Sequence, residues 1–137
     1  VIALLVSRPS IEEPVATTDT TQTPQSTETP DQSVVAGRYA LYSPEAVASQ
    51  DYTQTVLFFH APWCPECRAF ETAIEASTIP EGVQILKVDY DSSTDLRQKH
   101  GVTLQSTFVE VDQSGETVSR WVGYGKDKSV TAILENL

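Results

Sequence analysis

The sequence predicts an α/β fold, a central mixed β-sheet with helices on both faces, behind a disordered N-terminal linker. Three observations predict it. Runs of β-branched and aromatic residues alternate with stretches of helical spacing from Tyr39 to the end of the chain. The run Thr55-Val-Leu-Phe-Phe-His60 is apolar at nearly every position, as in a strand covered on both faces. Asp112-Gln-Ser-Gly115 lies between two β-rich segments, reads as a hairpin turn and supplies the antiparallel part of the sheet.

Taken in order, Tyr39 to Tyr42 is a short strand. Ser43-Pro44-Glu45 offers an N-cap serine and a proline at the first helical position, opening a helix through Ser49. The strand Thr55 to His60 follows, then a helix from Arg68 to Ala76 with Phe70, Ala73 and Ile74 on one face, broken by Pro80-Glu-Gly82. Val83 to Val88 is the next strand, and Ser93 to His100 the next helix, ended by Gly101. Thr107–Val111 and Thr117–Val122 form the hairpin, and Lys126 to Leu137 closes the chain as an amphipathic helix with Val130, Ile133, Leu134 and Leu137 inward.

A chain of 137 residues with 39% hydrophobic content buries one ordinary core, so one domain is expected, over residues 37–137. The segment 1–36 is different. It starts with six apolar residues, far short of the roughly 20 a membrane-spanning helix needs, and they read as the remnant of a signal peptide or anchor. From Ser7 to Ser33 it is rich in Ser, Thr, Pro, Gln and acids with no aromatic residue, so it cannot bury enough surface to offset its ordering entropy. The expectation is a monomeric, bacterial, extracytoplasmic domain (periplasm or cell surface), held to a membrane only through its N-terminus. The net charge of −10 and the absence of any Lys/Arg cluster exclude nucleic acid as a partner, because phosphate neutralisation needs clustered cations.

The chemistry concentrates in HAPWCPECRAF, His60 to Phe70, which holds both cysteines. A structural clasp is a poor reading, since a crosslink across three positions removes little chain entropy. Cys64 at a helix N-terminus faces unpaired N–H groups and the positive end of the helix dipole, which favour a thiolate nucleophile. Cys67, one turn further, suits a covered resolving thiol. Pro65 fixes the first turn, and Trp63 offers an apolar shelf beside the sulfur. The carboxylate of Glu66 opposes the thiolate and so moves the couple toward reduction.

Strand, tryptophan, C-P-x-C and helix in succession resemble the active-site segment of the thioredoxin family, and the resemblance covers residues 37–137. It implies a thioredoxin-like fold with an added N-terminal strand and helix, and a thiol-disulfide oxidoreductase with no organic cofactor. The partners implied are protein disulfide or dithiol clients and an upstream thiol-disulfide donor or acceptor. Two departures stand out. Phe58 occupies the strand position where family members carry a buried acid, beside Lys87, which matches a family lysine. Ser106 stands where the family has a cis-proline, so the Gln105–Ser106 bond is expected to be trans. The loop Gln105, Ser106, Thr107 is the expected substrate contact together with Trp63, and the serine would set a hydroxyl near Cys64. The alternative function is metal binding (zinc, copper or an iron-sulfur centre) by Cys64 and Cys67 with His60; a closed zinc site wants four ligands, and His100, the other histidine, ends a different helix.

Overall fold

The computed structural model describes residues 35–137, so all but the last two residues of the expected tether lie outside the described part. Nine elements run in the predicted order: β1 (Arg38–Leu41), α1 (Pro44–Val47), β2 (Gln54–His60), α2 (Pro65–Glu75), β3 (Val83–Asp89), α3 (Thr94–Lys99), β4 (Thr107–Val111), β5 (Thr117–Val122) and α4 (Val130–Glu135). The five strands form one mixed sheet in the order β1-β3-β2-β4-β5. β3 is parallel to both β1 and β2, whereas β4 is antiparallel to β2 and β5.

β2 lies at the centre, and its side chains alternate between two cores. Val56 and Phe58 join Phe70, Ile74, Phe108, Val130 and Ile133 on the face covered by α2 and α4. Leu57 and Phe59 join Val47, Leu86, Val88 and Val109 on the face that α1 and α3 cover. A strand buried on both sides needs apolar residues at every position, which is why the run from Thr55 to His60 does not alternate. The Phe58 and Phe108 rings stack at 4.6 Å, and Phe70 meets Phe108 edge-on at 4.9 Å. Gln84, fully buried, is satisfied throughout: its amide donates to Ala46 O and Thr55 Oγ1, and its carbonyl accepts from Arg38.

Some boundaries differ from the expected ones. α1 stops at Val47 rather than Ser49, and α2 starts at Pro65, so Cys67 is helical. α4 begins at Val130 rather than Lys126, because Asp127 accepts the Ser129 N–H and Ser129 caps the helix by accepting from Ala132 N at 3.1 Å. A serine whose hydroxyl takes an otherwise unpaired N–H of the first turn fixes the helix start just after it. No helix among the described residues is long and apolar enough to cross a membrane.

Candidate active site

β2 ends at His60, and the chain turns into α2 with Cys64 as its N-cap and Pro65 in the first turn. Proline fits there because the first N–H groups of a helix have no partner inside it. The Cys64 sulfur stands where a capping oxygen would, accepting from the Cys67 backbone N–H at 3.4 Å. Both cysteines are free thiols, so this is the reduced dithiol. Cys64 is only 1% exposed and Cys67 fully covered.

Across from the sulfurs lies the loop between α3 and β4. Ser106 is fully buried, and its Oγ is 3.1 Å from Cys67 Sγ and 3.8 Å from Cys64 Sγ. No described peptide bond is cis, and Ser106 has φ of 59°. Its N–H donates to Phe59 O at 3.0 Å, a bond that proline could not make, and its carbonyl accepts from Gly123 N at 2.8 Å.

These contacts set the two thiols apart. Burial by itself pushes the Cys64 thiol up, but the N–H and thiol of Cys67, the Ser106 hydroxyl and the Glu66 N–H all favour the anion and together bring it below the ordinary value. For Cys67 burial prevails: it raises the thiol, the Cys64 anion adds to the rise, and hydrogen bonds from Ala61 and Ser106 only offset part of it. The pair therefore releases one proton readily and holds the second.

Glu66 departs from its expected part. Its carboxylate pairs with Lys128 Nζ at 2.7 Å and accepts from Gly125 N at 2.8 Å, and both contacts, Lys128 first, lower its pKa. The charge expected to oppose the thiolate is matched by a cation from far along the chain, and what Glu66 gives Cys64 is a backbone N–H. Trp63 is 56% exposed beside the cysteines, its indole N–H donating to Asp91 Oδ2 at 2.8 Å.

The sequence profile described as Thioredoxin matches residues 43–136, well over half of the chain. The chain belongs to the thioredoxin family. It is 30% identical to thioredoxin-1 of Caenorhabditis elegans over 83 residues, 60% of this chain and 71% of that protein. It is 35% identical to a protein disulfide-isomerase of Humicola insolens over 79 residues, 56% of this chain but 15% of the isomerase. Among solved structures, a thioredoxin from Nicotiana alata superimposes with a TM-score of 0.54 at 28% identity, covering 73% of this chain and 93% of that one. With its C-x-x-C pair in the family's place, this member is a thiol-disulfide oxidoreductase.

Within this thioredoxin fold the loop residues part company. Ser106 reaches the sulfurs, but Thr107 is buried in β4 with its hydroxyl donating to Leu104 O, which removes it from the expected substrate surface. Gln105 is half-buried and Leu104 is exposed, so these two are the accessible side chains of the loop that carries Ser106. His60 does not join the cysteines. Its Nε2 sits 3.0 Å from Glu71 Oε2, off the axis of a good hydrogen bond, and among the described residues no three His, Cys, Asp or Glu side chains are placed to hold a metal.

Glu71 is the site residue that sequence reasoning missed. From α2 it meets His60, Lys87 Nζ and the Tyr39 hydroxyl, the last at 3.2 Å, beneath the cysteine turn. Phe58 thus leaves no acid on the strand, and a carboxylate arrives from the helix instead. The signal was present: Glu71 follows Cys67 at i+4, on the stripe that Cys67, Phe70 and Ile74 define.

Proposed function

We propose that the chain reduces disulfides of protein clients, with Cys64 as nucleophile and Cys67 as resolving thiol. The observation that carries this reading is the Cys64 sulfur at the N-cap of α2, held by the Cys67 N–H, with the Cys67 thiol behind it. A dithiol that gives up one proton and keeps the other is the form that attacks a disulfide and then displaces the client. A strong oxidant needs a deeply stabilised thiolate, and here burial opposes the thiolate form of both cysteines, although hydrogen bonds still bring Cys64 below its ordinary value. Trp63 precedes Cys64 and Leu104 and Gln105 precede Ser106, and as accessible side chains they orient the client. An upstream dithiol returns the electrons, and the chain works as a monomer without an organic cofactor. The Ser/Thr/Pro-rich stretch before the domain supports work at the end of a tether, outside the cytoplasm.

Insulin reduction in dithiothreitol tests the roles. Wild-type protein accelerates it, Cys64→Ser abolishes the acceleration, and Cys67→Ser accumulates a mixed disulfide through Cys64 that mass spectrometry identifies. Cys64→Ser protein that still reduces insulin removes the assignment. Equilibration with glutathione or dithiothreitol then gives the direction: a potential near about −270 mV fits a reductase, whereas one near about −120 mV would make the protein a disulfide donor.

A further inference from the structure

We propose that Ser106 is a catalytic residue whose one hydroxyl serves the two thiols in turn, stabilising Cys64 as nucleophile and then carrying the proton off Cys67. This rests on the roles of Cys64 and Cys67 proposed above.

A serine hydroxyl has one proton to give and lone pairs to receive. Placed 3.1 Å from Cys67 Sγ and 3.8 Å from Cys64 Sγ, it can bridge the two sulfurs once the Cys67 thiol turns its proton from Cys64 to the serine. The Cys67 S–H donates to Ser106 Oγ, and Ser106 O–H donates to the Cys64 thiolate. The serine is fully buried, so no water competes for it. Its backbone is pinned on both sides, by Phe59 O and by Gly123 N, in a left-handed conformation with φ of 59° that a residue with a Cβ rarely adopts. Strained backbone aimed at a reacting atom and held by its neighbours marks function rather than packing.

The steps balance. The Cys64 thiolate attacks one sulfur of the client disulfide; the Cys64–client S–S bond forms, the client S–S bond breaks, and the first client sulfur leaves as a thiolate with the electron pair. Ser106 Oγ then takes the Cys67 proton while its own proton passes to that client thiolate, leaving Cys67 anionic and the client sulfur a thiol. The Cys67 thiolate attacks Cys64 Sγ, the Cys64–Cys67 disulfide forms, and the second client sulfur leaves as a thiolate that water protonates. The pair is oxidised by two electrons, and the client disulfide is reduced by two.

Two variants of the full chain test this. Ser106→Gly removes the hydroxyl and suits the positive φ, whereas Ser106→Ala removes it with the backbone less at ease. In both, the pH midpoint for iodoacetamide alkylation of Cys64 rises by about one unit, and the second phase of stopped-flow reduction of glutathione disulfide slows about tenfold, the loss expected for one hydrogen bond to a charged sulfur. Unchanged midpoint and second phase in both variants, with wild-type protein active on insulin, overturn the proposal and leave the oxidoreductase reading standing. A normal Gly variant beside a slow Ala variant also overturns it, because backbone and not hydroxyl would then matter. Wild-type protein inactive on insulin overturns the reading on which it rests.

Discussion

Glu71 shows how much one side chain can organise. Its carboxylate meets a histidine from β2, a lysine from β3 and a tyrosine from β1, so three strands are tied to the helix that carries the cysteines. Burial works against the ionised form, but Lys87, His60 and Tyr39 outweigh it and hold the carboxyl below its ordinary range. The Tyr39 phenol is pushed well up, first by burial and then by the Glu71 charge. Replacing the acid by its neutral isostere leaves Lys87 without its anion and weakens charged hydrogen bonds. Glu71→Gln is therefore expected to lower stability by about 1.5–3 kcal/mol in urea denaturation at pH 7, with a smaller difference from wild type at pH 3, since protonation of Glu71 erodes its contribution as pH falls. An equal loss at both pH values would show that shape, not charge, is what Glu71 supplies. At this scale the sequence was legible where the signal is local. Cys64, Pro65 and Cys67 sit in one turn, and their spacing alone placed them. Glu66 and Ser106 were legible as positions only, because Lys128 and the left-handed loop reach them through the fold.

The elements were legible for a related reason. β2 and β3 are dense in apolar residues, and Ser43-Pro44 and Gly101 are local punctuation, so order and type followed from short stretches of sequence. The start of α4 was not, since Lys126 to Ser129 is compatible with helix until Asp127 and Ser129 are seen taking the backbone N–H groups. The segment between β5 and α4 also touches the site twice: Gly125 and Lys128 hold Glu66 on one side of the cysteines, and Gly123 N holds the Ser106 carbonyl on the other. Gly123 is required there by space. A Cβ would lie 2.7 Å from Phe70 Cζ and 3.1 Å from Phe108 Cε2, inside the aromatic cluster. Gly123→Ala is accordingly expected to cost about 1–3 kcal/mol by overpacking, read as a lower urea midpoint. The same shift should loosen Ser106, so Cys64 alkylates faster on the high-pH plateau of its own alkylation curve, where only access is measured. A variant as stable as wild type would mean that Phe70 moves aside freely, contrary to the packing described.

For the whole molecule the question is which electrostatic effect prevails as pH falls. The chain carries ten surplus negative charges at pH 7, and protonating them relieves mutual repulsion, which favours the folded state toward the pI near 4.4. The individual groups argue the other way. His60 and His100 are both lowered, chiefly by burial, so the unfolded chain takes up protons first, from about pH 6.5 downward, and stability falls through that window. Glu71 and Asp89 are lowered as well, so the stability they contribute is present above the ordinary carboxylate range and is lost as pH falls below about 4.5. Surface repulsion is screened over about 8 Å at physiological salt, whereas the buried histidines are screened much less. The specific groups should therefore win. Thermal unfolding of the reduced protein in 0.15 M salt, a setting chosen to match that screening, should give a Tm that is highest near neutral pH, falls as pH drops below about 6.5, and falls again below about 4.5. A His60→Gln variant should lose part of the first drop while keeping the second. A Tm that instead climbs steadily from pH 7 to the pI would show that repulsion across the acidic surface, and not the buried histidines, sets the stability of this domain.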